Sequence, residues 1–279
     1  MAAGRVAART TANCQLSTGN YFFIPPKIRI FTYKTLIIMK KLLLALAIIA
    51  VAGSSCRYGF GKRVSGNGTI QSEEHTVTSF KNVLVSDGMD VSLLQGEVKP
   101  VKIETDDNLL QYVEVIQQGD DLVIREKKGY DLDPSNKIKV YVTTPVYHRV
   151  HLSGAGTIES EGKIMNPDEM EIHVSGAGAV KMDLKAPAVK ATLSGAGSIA
   201  LQGDTKDIDI SLSGAGSAHC FGLLAENAKV SISGVGNADV YASVSMEAHV
   251  SGIGSVKYKG GASNVSQHVS GTGSVSKAD

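Results

Sequence analysis

Four histidines occupy matched positions in this sequence and could bind a metal ion. Each stands two residues before the serine of a recurring Ser-Gly-x-Gly motif, and the four are His151, His173, His249 and His268. Imidazoles on neighbouring strands of a stack can share a zinc or copper ion. The sequence suggests no third or fourth ligand, so an outward row of polar residues explains the same positions. A metal site at these histidines is therefore a hypothesis that a calorimetric titration tests.

Charged residues form a second repeated set, six positions after the motif serine. The set reads Glu159, Lys181, Ala200, His219, Asp239, Lys257 and Ser276. Retaining glycosidases need two carboxyl groups about 5 Å apart, and inverting enzymes need about 6.5–9.5 Å. Because the charges alternate and the carboxylates do not cluster, the pattern favours a solvated face over a carbohydrate-active enzyme. No cofactor motif accompanies it.

The cysteines suggest neither a disulfide nor a nucleophile. If the mature chain begins at Cys56, Cys220 is its one other cysteine, and no intramolecular disulfide can form. Cys220 shares its repeat position with Met182, Leu201 and Val240. We therefore predict a small, buried, apolar side chain there, with no base to activate it.

The repeat that positions these residues recurs about every 18 to 22 residues. Its serines are Ser153, Ser175, Ser194, Ser213, Ser233, Ser251 and Ser270. Around each serine, aliphatic and polar residues alternate, which is typical of a strand with one buried face. Equivalent residues superpose after one repeat only if the strands are parallel. The sequence predicts an all-β, right-handed, single-stranded parallel β-helix (β-solenoid) with coils of about 19–20 residues and irregular N-terminal coils.

The motif glycines are predicted to form the corners of the coils, since glycine reaches positive φ and permits close approach between coils. They are Gly154, Gly156, Gly176, Gly178, Gly195, Gly197, Gly214, Gly216, Gly234, Gly236, Gly252, Gly254, Gly271 and Gly273. The residue between each pair, such as Ala155 or Val235, is expected to turn inward. A phosphate-binding glycine loop is the alternative, but such a loop precedes a helix and occurs once.

An export signal begins at Met39, where two lysines precede an apolar run of about eleven residues. That run is shorter than the roughly 20 residues that a membrane span requires. Small residues then lead to Cys56, as in bacterial lipoprotein signals, so we predict a signal peptide at 39–55 and lipidation of Cys56. Ala50-Val51-Ala52 offers an ordinary signal peptidase site instead.

The remaining boundaries follow from these features. Residues 1–38 are interpreted as an incorrectly assigned start and 56–76 as a linker. The β-helix domain is predicted at 77–279, with the regular repeats at 146–279. The net charge of +1 does not favour binding to nucleic acid.

Several segments resemble the head GIN domain family, labelled "putative auto-transporter adhesin". They are Phe80-Lys81-Asn82-Val83, Val85-Ser86-Asp87-Gly88-Met89-Asp90-Val91, Asp107-Asn108-Leu109-Leu110, Asp121-Leu122-Val123-Ile124 and the Leu-Ser-Gly-Ala-Gly copies. The resemblance covers about residues 77–279. It implies an exported, often lipid-anchored protein of Bacteroidota-type bacteria, with a β-helical head and no established biochemical activity.

The preferred functional hypothesis is a non-enzymatic cell-envelope lipoprotein that acts as an adhesin or a ligand- or glycan-binding module. The second hypothesis is a periplasmic structural or regulatory module that binds other envelope proteins, and the third is a carbohydrate-active enzyme. The expected partners are a membrane, through the lipid anchor, and a glycan or an envelope protein, with lateral homo-oligomers as a further option. The expected location is the outer membrane, at the cell surface or on its periplasmic face.

Overall fold

The computed structural model describes residues 61–279, and nearly all of its regular structure is β-strand. The exception is one short 3₁₀ turn at Leu110–Tyr112. Across these residues, no helix is long and apolar enough to cross a bilayer. The predicted incorrect start (1–38), the signal peptide (39–55) and Cys56 lie outside the described residues.

Eighteen strands make up the described structure. In chain order they are β1 (Lys62–Ser65), β2 (Ile70–His75), β3 (Asn82–Ser86), β4 (Asp90–Gln95), β5 (Val101–Asp106), β6 (Val113–Gln118), β7 (Asp121–Glu126), β8 (Tyr130–Asp133), β9 (Lys139–Thr144), β10 (Arg149–Gly154), β11 (Thr157–Met165), β12 (Met170–Gly176), β13 (Ala179–Gly195), β14 (Ser198–Gly214), β15 (Ser217–Tyr241), β16 (Ser245–Lys259), β17 (Asn264–Gly271) and β18 (Ser274–Lys277).

The repeats form stacked parallel coils, which confirms the predicted parallel β-helix. Strand β13 pairs with β14 from Ala179↔Ser198 to Gly195↔Gly214. Strands β14, β15, β16 and β17 continue the stack in parallel. The motif serines therefore lie above one another, about 4.8 Å apart from coil to coil.

The core consists of columns of aliphatic side chains inside the coils. Five members of the column five positions after the motif serine are fully buried, namely Val180, Ile199, Ala218, Ala238 and Val256. Most outward neighbours of these residues are polar, so period-two alternation directs the apolar set inward. Full burial of a Val or Ile side chain contributes about 1.5–3 kcal/mol, so Val180, Ile199 and Val256 stabilise their coils more than the alanines of the column do.

The glycine corners differ in one respect from the prediction. The residue between the two glycines faces outward, and the exposed fractions of Val235 and Ile253 are 54% and 59%. The second glycine takes the inward position instead. A Cβ built on Gly178 would lie 2.8 Å from the carbonyl oxygen of Gly156 in the preceding coil. Because the alternation continues through the corner, the middle residue cannot also point inward.

The N-terminal coils are irregular, as predicted, and they mix parallel with antiparallel pairing. Strand β3 lies parallel to β7 and β10, and β4 lies parallel to β9 and β11. Strands β2, β5 and β6 run antiparallel to their partners. Because these strands run antiparallel to their partners, the N-terminal end of the sheet is not an open edge of parallel coils.

The segment 56–76, which the sequence suggests is a linker, contains two strands. Strand β1 pairs in parallel with β8, and β2 pairs with β5. Most side chains of both strands are exposed. Backbone hydrogen bonds hold both strands in place, and neither strand buries an apolar face. Their sequences therefore lack the apolar alternation by which a strand is recognised.

Asp106 binds the loop that joins these two strands. Its carboxylate is buried and accepts hydrogen bonds from the Gly68 N–H at 2.7 Å and the Ser135 hydroxyl at 2.6 Å. The Ser135 N–H donates a third bond at 2.8 Å. This loop has the sequence Ser65-Gly66-Asn67-Gly68, a further copy of the motif. Asp106 therefore attaches this copy to the domain.

Candidate functional site

A groove with a cavity volume of about 580 Å³ lies on the outer face that follows the glycine corners. The strand pairing is irregular beside it, with register shifts between Glu159 and Lys163 and between Ala200 and Gln202. Such β-bulges bend a strand and redirect its side chains. We call this surface the bulged groove, lined by Glu159, Lys181, Asp183, Gln202, His219, Phe221 and Asp239.

Charged side chains along the bulged groove pair with partners in neighbouring coils. The ammonium of Lys181 lies 2.8 Å from Glu159 Oε1, and His219 Nδ1 lies 3.2 Å from Asp239 Oδ2. The hydrogen bond and charge of Glu159 raise the pKa of Lys181. Exposed ion pairs add little stability. The effect of these two pairs is to hold the charged side chains in a row along the groove.

Asp183, at the middle of the groove, also has partners. Its Oδ2 accepts a 3.2 Å hydrogen bond from Gln202, and the Lys163 ammonium lies 3.8 Å from its Oδ1. The same ammonium lies 3.2 Å from Asp204. The Lys163 ammonium therefore lies between carboxylates of two neighbouring coils, and Asp183 places hydrogen-bonding groups at the centre of the groove.

Phe221 provides the aromatic surface of the groove. Its ring is partly exposed, and the Lys259 ammonium lies 5.2 Å from the ring centroid, in cation–π range. Partly exposed aromatic rings in concave sites commonly contact ligands. The groove therefore combines one apolar plane with several polar groups.

Comparison with known proteins identifies the family. A family profile described as "Putative auto-transporter adhesin, head GIN domain" matches residues 79–262. The chain belongs to the head GIN domain family. No protein of curated function matches it.

Solved structures share the head GIN fold of this chain. A putative adhesin from Bacteroides fragilis is 21% identical with a TM-score of 0.71, and covers 77% of this chain and 100% of its own. A putative lipid binding protein from Parabacteroides distasonis is 22% identical with a TM-score of 0.68, covering 78% and 100%. A putative adhesin from the same species is 25% identical with a TM-score of 0.62, again covering 78% and 100%.

The four predicted histidines of this head GIN domain stack as two pairs. The ring centroids of His151 and His173 are 6.0 Å apart, and those of His249 and His268 are 6.1 Å apart. Glu247 lies 2.8 Å from His249. Within residues 61–279, no group of three or more metal-ligating side chains is placed to hold an ion. The metal site remains a prediction, without a third ligand to support it.

Cys220 is buried, with 1% of its surface exposed. Burial raises the pKa of its thiol to about 12, and the charge of Asp239 adds to the effect. The thiol is therefore protonated at neutral pH, and the thiolate is the nucleophilic form. Its environment is that of an apolar core residue.

Sequence reasoning missed three residues of the groove, which are Asp183, Gln202 and Phe221. All three stand eight positions after a motif serine, as do Tyr241 and Lys259. An alignment of the repeats at that position would have shown an aromatic and polar column. The two bulges add residues to their coils, and the spacing reflects this, with 22 residues from Ser153 to Ser175 and 20 from Ser213 to Ser233. The spacing does not show that the surface at these coils is concave.

Proposed function

We propose that this head GIN protein is a non-enzymatic, exported envelope protein that binds an extended ligand along its stacked outer face. The observation that carries the proposal is the bulged groove, in which Glu159, Asp183 and Asp239 each have a partner beside a partly exposed aromatic ring. Such a surface offers hydrogen bonds and apolar contact. The adhesin description of the family supports the same role.

The proposal includes anchoring of the mature chain by lipid at Cys56. Support comes from the basic and apolar segment that precedes this cysteine. An acyl anchor would hold the N-terminal end of the chain at a membrane.

Antibody labelling of intact and permeabilised cells tests this proposal. With an antibody against residues 77–279, we expect signal on intact cells, since an adhesin must reach its ligand. A Cys56→Ala variant should carry no lipid, so its signal on intact cells should be lost while its fold remains unchanged. Signal that requires permeabilisation would overturn the adhesin role.

A second candidate function is a periplasmic module that binds another envelope protein. The observation that favours it is a separate concave surface of about 680 Å³ beside Met165, Pro167 and Pro187. The exposed fraction of Met165 is 49%, and Pro167 and Pro187 are exposed as well. Exposed apolar side chains in a cluster are typical of protein contacts. Labelling only after permeabilisation would favour this candidate.

A further inference from the structure

We propose that the bulged groove binds a neutral, extended oligosaccharide, with Phe221 as the surface on which one sugar ring packs. This inference rests on the proposed function and names the ligand class and the site. The apolar C–H face of a pyranose ring matches a flat aromatic side chain in size and polarity. Phe221 is the aromatic side chain that lines this groove.

Polar groups around Phe221 match the hydroxyls of a sugar. The Gln202 amide can donate and accept, whereas the carboxylates of Asp183 and Asp239 accept. Each sugar hydroxyl can also donate one hydrogen bond and accept others. The groove places both kinds of group within one concave surface, which is the usual composition of a small-molecule site.

The charges favour a neutral ligand over an anionic one. Three carboxylates lie in the groove, at Glu159, Asp183 and Asp239. They are balanced by the ammonium groups of Lys181 in the groove, Lys163 beside Asp183 and Lys259 over Phe221. A polyanion would require an excess of positive charge. Each of these cations instead lies against a carboxylate or an aromatic ring.

The length of the groove favours a chain of several sugars. Its charged column runs from Glu159 through Lys181 and Ala200 to His219 in matched register, and His219 contacts Asp239 in the next coil. Four steps of about 4.8 Å extend roughly 19 Å. A straight β-1,4-linked chain can follow such a column, whereas a single sugar would occupy only part of it.

Calorimetric titration of the full exported protein, purified in detergent, tests the assignment. The probes are β-1,4-linked hexasaccharides of glucose and of N-acetylglucosamine, with hexagalacturonate as the anionic comparison. We expect at least one neutral probe to bind and hexagalacturonate not to bind. The Phe221→Leu variant should weaken binding about tenfold or more, because it keeps apolar volume but removes the flat ring.

Two further variants separate the groove from other aromatic surfaces. Gln202→Ala should also weaken binding, which keeps the test valid if Phe221→Leu folds poorly. Tyr130→Leu is the matched control, since Tyr130 lies on β8 in the separate two-stranded sheet with β1 and packs against Tyr112. We expect Tyr130→Leu to bind as the unaltered protein does.

Three results would overturn the assignment. They are binding of hexagalacturonate alone, binding that neither groove variant weakens, and no binding of either neutral probe. In each case, surface labelling of intact cells would leave the proposed envelope function standing. Labelling only after permeabilisation would instead overturn the adhesin role, whatever the titration shows.

Discussion

His151 shows how the stacking of coils changes the chemistry of a single side chain. Burial lowers the pKa of its imidazole, and the positive charges of His173 and Arg149 lower it further. The unfolded chain therefore binds a proton at a higher pH than the folded protein does. By linkage, stability is complete above the unfolded pKa of about 6.5. It decreases as the pH falls from there towards the lowered folded value.

The first prediction concerns this pH dependence. Replacement of His151 by threonine, the residue at the equivalent position 192, should make the free energy of unfolding vary less with pH just below 6.5. Denaturant titrations at a series of pH values measure this change in the free energy of unfolding. An unchanged slope in that window would contradict the assigned environment of His151.

The second prediction concerns the thiol of Cys220. Because its pKa is raised to about 12 by burial, we expect no reaction with a thiol reagent in the folded protein at pH 8 and full reaction in denaturant. Absorbance of the released chromophore measures both. Fast labelling of the native protein would show that the thiol is accessible, contrary to its position in the core.

Individual glycines determine how closely the coils approach one another. Gly176 has φ of +115°, and a Cβ at this position would lie 2.6 Å from the carbonyl oxygen of Gly154. Alanine would therefore be strained in its backbone and would press against the preceding coil. Left-handed strain costs about 1–2 kcal/mol, and overpacking costs about 1–3 kcal/mol.

The third prediction is that Gly176→Ala destabilises the domain by about 2–5 kcal/mol, from these two effects together. Thermal and denaturant unfolding measure the change. Gly88→Ala is the matched control, since no atom lies within 4 Å of a Cβ at that position. Equal stabilities of the two variants would contradict the close packing of the corners.

The fourth prediction concerns the attachment of the N-terminal strands. Burial raises the pKa of Asp106, but hydrogen bonds from Ser135 and Gly68 outweigh it and lower the pKa below 3.8. The ionised Asp106 carboxylate thus stabilises the folded protein at pH values above its unfolded pKa. This stabilisation is lost as the pH falls through its pKa in the folded protein. Asp106→Asn replaces an acceptor with a donor and should cost about 1–3 kcal/mol.

Denaturant unfolding of Asp106→Asn at neutral pH measures this cost. Asp107→Asn is the control, because Asp107 lies at the surface, where its carboxylate accepts a hydrogen bond from the side-chain amide of Asn67. We expect the control to remain within about 0.5 kcal/mol of the unaltered protein. A similar loss in both variants would mean that the buried hydrogen bonds of Asp106 contribute no more than an exposed one.

The strands of the regular stack were predictable, whereas the N-terminal strands were only partly so. Inward columns such as Val180, Ile199 and Val256 repeat in every coil, and that repetition specifies parallel strands. Strands β1 and β2 are held by backbone pairing and leave most side chains exposed. Such strands have no apolar period, so residues 62–75 looked like part of a linker.

At the scale of the whole molecule, the fold follows from the repeat and the candidate site follows from departures from it. The stacked register explains the histidine pairs, the charged column and the glycine corners. The register shifts at Glu159 and Ala200 occur where the repeat exceeds 19 residues, from Ser153 to Ser175 and from Ser213 to Ser233. The sequence therefore shows that residues are added in these coils, whereas the concave surface and the position of Phe221 within it were found only from the structure.

We propose that this protein binds a glycan without cleaving it. The most direct test incubates the immobilised protein with the neutral β-1,4-linked hexasaccharides. After washing, the bound saccharide is eluted and its mass is measured by mass spectrometry. The paired carboxylates of the groove predict that at least one hexasaccharide is retained and eluted at its original mass. Shortened saccharides in the eluate, or no retained saccharide at all, would contradict the claim.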